Sequence, residues 1–141
     1  MHLTRKWIVA VCALAAMSSS AFAGSDDVAQ GRATYLEYCA VCHGPVGEGN
    51  GPLARSLNTP PTNLRLLSDL YGNPLQEDKV ARVIDGRAEV KAHGPRDMPV
   101  WGERFANEGH GRTEREVKER IRKLVAYLQS IQSGARTASL R

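Results

Sequence analysis

The clearest periodicity in the chain lies toward its C-terminal end, where Val117, Ile121, Leu124, Val125, Leu128 and Ile131 recur at helical spacing and form one apolar stripe. Thr113 and Glu116 carry the capping-box signature that starts this helix, and Gly134 supplies its stop. A second helical pattern covers residues 28–38. Its apolar positions are Val28, Ala29, Ala33, Tyr35 and Leu36, continued by Ala40, with Asp27 as cap and Gln30 in the reciprocal position. Weaker patterns predict short helices over residues 64–71 and 76–84, the latter stopped by Asp85-Gly86. Two segments oppose regular structure. Residues 44–61 hold Gly44, Pro45, Gly47, Gly49, Gly51, Pro52, Pro60 and Pro61, and residues 87–102 hold His93, Gly94, Pro95, Met98, Pro99 and Gly102. No alternating strand pattern, internal repeat or low-complexity tract occurs in the sequence, so the pattern predicts an all-α domain.

The first 23 residues read differently. Arg5 and Lys6 are followed by an apolar run over residues 7–17 and by Ala21-Phe22-Ala23, the layout of a secretory signal cleaved after Ala23. The apolar run is too short to span a bilayer, and Val11 ahead of Cys12 does not suit a lipoprotein site. Cleavage would leave residues 24–141 as one domain without a membrane anchor, exported to the periplasm. The formal charge would fall from +4 to +2 with the loss of Arg5 and Lys6, far from the clustered basic face of a nucleic-acid binder. Only Trp101, Phe105 and four tyrosines would remain as aromatics, a modest supply for a core.

The two cysteines left after cleavage lie in Cys39-Ala40-Val41-Cys42-His43. Two thiols three positions apart, followed at once by a histidine, are what covalent haem attachment requires. The sulfurs can form thioether bonds to the haem vinyl groups while the imidazole reaches the iron from one face. A thioredoxin-like pair would need a preceding βαβ pattern, and a zinc site would need more thiols or imidazoles than this turn offers. Haem would also supply the apolar volume that the aromatic content leaves short.

Iron bound by one histidine has a sixth position, and its occupant decides between carrying electrons and binding small ligands. With Met1 and Met17 in the leader, Met98 is the remaining methionine, in a Gly/Pro-bearing loop 55 positions beyond His43. A thioether is a soft ligand that favours ferrous iron and raises the potential. His93 and His110 are the competitors. The basic residues of the last helix, Arg115, Lys118, Arg120, Arg122 and Lys123, alternate with Glu114, Glu116 and Glu119 and read either as a docking face or as a solvated one.

Taken in order, Gly31-x-x-x-Tyr35-x-x-x-Cys39, the Cys39–His43 motif, Met98-Pro99-Val100-Trp101-Gly102 and a terminal helix with Leu124 and Tyr127 resemble the class I c-type cytochromes. The resemblance implies the cytochrome c fold, with N- and C-terminal helices crossing at Gly31, Tyr35, Leu124 and Tyr127 around one covalent haem c. It implies His43 and Met98 as axial ligands, and Pro52 as the residue whose carbonyl accepts the His43 Nδ1 hydrogen. The activity expected is one-electron transfer between redox partners with no substrate chemistry of its own. A cytochrome subunit of a larger periplasmic or membrane-attached dehydrogenase or oxidase complex is the alternative, and a ligand-binding or peroxidase-type haem protein is a third reading. The polar run with Glu89, Lys91, His93 and Arg96 would then cap the haem edge or meet a partner.

Overall fold

A computed structural model of the chain describes residues 20–88, 98–108 and 111–133. They form six helices: α1 (Ser20–Tyr38), α2 (Ala40–His43), α3 (Leu67–Tyr71), α4 (Glu77–Asp85), α5 (Trp101–Asn107) and α6 (Glu114–Ser130). Tighter single turns occupy Ala54–Ser56 and Leu64–Leu66. Among the described residues there is no strand, as the pattern predicted.

Helix α6 starts where the sequence places it. The Glu116 amide donates to Thr113 Oγ1 at 3.3 Å, and the Thr113 amide donates to Glu116 Oε2 at 2.7 Å, which satisfies amides that the first turn leaves without carbonyl partners. Val117, Ile121, Leu124, Val125 and Leu128 are all buried, so the apolar stripe is the core face. Gly134 lies outside the described residues. Just past the helix end, Gln132 is 3 % exposed; its Nε2 donates to the carbonyls of Leu64 and Leu128 at 2.8 and 2.7 Å, and its Oε1 accepts from the Ser68 amide at 2.9 Å. One amide side chain thus ties the end of α6 to the approach of α3.

The expected cap at Asp27 is not a cap. Helix α1 has already begun by Ser20, running through the position of the expected cleavage site, so the amides near Asp27 belong to a continuing helical ladder. The polar side chains serve the helix crossing instead. Arg122 Nη2 donates to Asp27 at 2.8 Å, Lys123 Nζ to Gln30 Oε1 at 2.7 Å, and Gln30 Nε2 to Asp26 at 2.6 Å. Between these contacts α1 and α6 press together at Gly31. A Cβ there would lie 2.6 Å from the Lys123 carbonyl carbon and 3.0 Å from Tyr127 Cβ, closer than any side chain can pack. The rings of Tyr35 and Tyr127 meet 5.2 Å apart just below, and Leu124 is buried beside them.

The predicted helix over 76–84 is α4, and Gly86 closes it in the left-handed conformation at φ 66°. The predicted helix over 64–71 is divided into a tight turn, which Asn63 caps by accepting from the Arg65 amide, and α3, with the break at Leu66, whose backbone leaves the helical range at φ −111° and ψ 18°. Helix α5 lies where an irregular segment was expected to run on to Gly102. Trp101 and Phe105, one helical turn apart, bury themselves against Tyr38, with ring centroids 5.7 and 5.5 Å from it. His93 and His110 lie outside the described residues. Among the described residues no helix is long and apolar enough to cross a membrane.

Candidate cofactor site

Cys39 joins α1 to α2. Its amide donates to the Tyr35 carbonyl at 2.9 Å and its own carbonyl accepts from the His43 amide at 2.9 Å, so Cys42 and His43, three and four positions after Cys39, come back to its side of one helical turn. The buried Tyr35 hydroxyl donates to the carbonyl of Gly44, fixing where this turn ends. A helix this short leaves carbonyls without partners, and the following loop supplies them. The amides of Leu53, Gly51 and Gly49 donate to the carbonyls of Val41, Cys42 and His43 at 2.9, 3.0 and 2.8 Å. The approach requires glycine at position 51, where a Cβ would fall 2.5 Å from the Val41 oxygen and 2.6 Å from the Cys42 carbonyl carbon. The Leu64 amide donates to Gly47 at 2.7 Å and closes the loop, so the Gly/Pro-rich segment is the scaffold of the turn.

His43 Nδ1 lies 2.9 Å from the carbonyl oxygen of Thr62. A carbonyl can only accept, so Nδ1 carries the hydrogen and Nε2 keeps its lone pair. This corrects the expectation for Pro52. Pro52 is exposed and sits where the chain is giving amides to the turn; the chain returns to the imidazole only after Pro60 and Pro61, and the residue there is Thr62. Burial pushes His43 below the usual imidazole range, with the Thr62 contact opposing it, which keeps the ring neutral and fit to bind a metal.

Cys39 and Cys42 are free thiols, each half-buried. Burial, with Cys42 adding to it, pushes the Cys39 thiol up to about 12, while the charge of Arg120 pulls the other way. Met98 is half-buried and packs on the core that includes Trp101, Phe105 and Leu67. Val41 and Leu53 stay exposed beside the turn, an apolar surface adjoining the thiols. Two thiols, one neutral imidazole with Nε2 available and one thioether fit a covalently held haem.

Several residues that matter around the site were not singled out by sequence. Thr62 contributes only backbone, and the diproline ahead of it was its one signal. Arg120, read from sequence with the docking or solvated cations of the last helix, is turned inward and 16 % exposed, because position 120 is three after Val117 and four before Leu124 and so belongs to the buried stripe. Arg87 bridges α4 to α6: its Nε and Nη2 reach Asp85 at 2.7 Å, and its Nη1 reaches Glu114 at 2.7 Å. On the outer face of α6, Lys118 pairs with Glu114, and Arg122 with Glu119 and Asp27. These cations are therefore largely engaged with the chain's own carboxylates.

A Cys-x-x-Cys-His turn set beneath crossing terminal helices, with a methionine packed on the same core, defines a c-type cytochrome domain of the class I kind, whose work is haem-based electron transfer. The chain belongs to the family described as cytochrome C oxidase, cbb3-type, subunit III, whose family model matches residues 26–128. That membership implies covalently bound haem c. No curated protein and no solved structure matches the chain.

Proposed function

We propose that this chain is a periplasmic one-electron carrier holding a single haem c through Cys39 and Cys42, with His43 and Met98 as axial ligands and no substrate chemistry of its own. The observation that carries the reading is the His43 imidazole: its Nδ1 is engaged by the Thr62 carbonyl, which leaves Nε2 as the donor one position beyond the second thiol. When bound, haem supplies a ferric/ferrous couple. The chain's residues do the rest. Thr62 fixes the imidazole plane and raises its basicity, the α1–α6 crossing keeps the cysteine turn rigid, and the aromatic group of Tyr38, Trp101 and Phe105 excludes water on one side. Two ligands retained in both iron states leave little geometry to rearrange on transfer. The leader over residues 1–23 would deliver the chain to the periplasm, where redox proteins are its partners.

A second reading, favoured by the family match, makes the chain the cytochrome subunit of an oxidase complex. The deciding measurements are the visible spectra of the oxidised and reduced protein with and without carbon monoxide, and the size of the native species in cell extract. A low-spin spectrum with a weak far-red sulfur-to-iron band, indifferent to the gas, supports a closed His/Met site. A high-spin spectrum that shifts with carbon monoxide overturns it in favour of ligand binding or peroxidase-type chemistry. A monomer in extract supports the free carrier, and a large stable assembly supports the subunit.

A further inference from the structure

We propose that Arg120 is a fixed, inward-facing cation that favours the ferrous state of a haem held at Cys39, with Glu108 as its counterweight. The proposal rests on the haem-carrier reading. The guanidinium carbon of Arg120 stands 4.3 Å from the ring centroid of Phe105 and 4.8 Å from that of Tyr38, while Nη1 is 2.5 Å from Glu108 Oε2. The two charged side chains are only 16 % and 25 % exposed. Tyr38 is the residue before Cys39, and α5, which carries Phe105, begins three residues after Met98. The cation is thus placed between the segment that bears the first thiol and the segment that follows the methionine.

Packing alone does not call for this arrangement. An apolar side chain of similar length would fill the space between the two rings without desolvating a charge, and it would need no carboxylate partner. A cation held among aromatic rings is screened less than one in water, so its potential extends further. The same placement lets the charge of Arg120 oppose the effect of burial on the Cys39 thiol. Both groups also hold their charges. Burial works against each, yet their mutual hydrogen bond and that with Tyr38 keep Glu108 below the ordinary carboxylate range and Arg120 above the ordinary guanidinium one. Reduction adds one electron, supplied by a redox-protein partner, takes up no proton at this pair and lowers the net charge of the site by one. A nearby cation favours that change and a nearby carboxylate opposes it.

Spectroscopic redox titration of the haem-bearing protein tests the idea. Arg120→Met is expected to lower the ferrous-to-ferric ratio at a fixed poise roughly tenfold, a downward shift of about 59 mV for a one-electron couple. Arg120→Lys restores most of it, Glu108→Gln shifts the potential upward, and the double variant falls between the two single ones. In the haem-free chain, alkylation of Cys39 by iodoacetamide slows in Arg120→Met, because less thiolate is present. Single variants that shift in the same direction, or not at all, overturn the proposal; if Arg120→Met fails to fold, an unmoved potential in Glu108→Gln does so alone. Parent protein without covalent haem removes the carrier reading itself, whereas haem-bearing variants with unmoved potentials remove only the role of Arg120.

Discussion

Met98→Ala tests the ligand role proposed for the thioether. With the thioether gone the haem stays attached through its thiols, the potential falls, and carbon monoxide binds to the reduced protein; an unchanged spectrum and potential would show that Met98 is not a ligand. His43→Ala is the more severe change, because the imidazole lies next to the second thiol and is the group oriented by Thr62. Haem-bearing protein should then fall to a trace in a haem stain after denaturing electrophoresis. At this scale the family was legible in the Cys39–His43 motif, and the candidate roles of Cys39, Cys42, His43 and Met98 are read from residue type. The partner of Nδ1 was not legible: it is a backbone carbonyl, which every residue owns, and only the path of the chain decides that Thr62 rather than Pro52 presents it. Arg120 was hidden for the opposite reason. Its type suggested solvent while its register suggested burial, and register won because Glu108 and two rings were there to receive it.

Among the elements, the crossing of α1 and α6 is the one most sensitive to a single methyl group. Gly31→Ala forces the backbones apart at Lys123 and should cost roughly 1–3 kcal/mol or more of stability, read as a lower urea midpoint. The same variant in haem-bearing form should keep the parent visible spectrum, because the clash at Gly31 falls on Lys123 and Tyr127. Helix α6 could be read almost residue by residue, since a capping box and a sustained stripe are local signals that the packing then satisfies. Helix α5 could not. Pro99 and Gly102 carry a loop signature, and what overrides it is tertiary: the Trp101 and Phe105 rings find Tyr38, which lies more than sixty positions away in the chain. The anchoring of Gln132 was equally invisible, because its partners at Leu64 and Ser68 are fixed only after the chain has folded.

The ion pairs set how the whole molecule responds to acid. Asp85 is held below the ordinary carboxylate range by its hydrogen bond to Arg87, and Glu114 and Glu119 are lowered by their arginine partners in the same way. A depressed folded-state pKa stabilises the fold above the unfolded carboxylate value of about 4, and that contribution is lost as the pH falls through the folded values. The urea midpoint should therefore fall modestly below about pH 4 on account of these pairs. Arg87→Met should lower the neutral-pH midpoint modestly and flatten the acid limb by a matching amount, since exposed pairs contribute little and what they contribute at neutral pH is what acid removes. An equally steep acid limb in the variant would place the acid sensitivity elsewhere.

The crossing of α1 and α6 also bears on the order in which the molecule can be made. The contacts that bury Tyr35 and lock Gly31 come from residues such as Arg122, Lys123 and Tyr127, and the Asp27–Arg122 bond spans 95 positions. During synthesis from the N-terminus Arg122 emerges 95 positions after Asp27. Until these partners emerge, Gly31 and Tyr35 lack the side chains and backbone that enclose them, and contacts this distant in sequence form late. The nascent chain therefore cannot close this crossing until α6 has been made, however early α1 and its cysteine turn are synthesised.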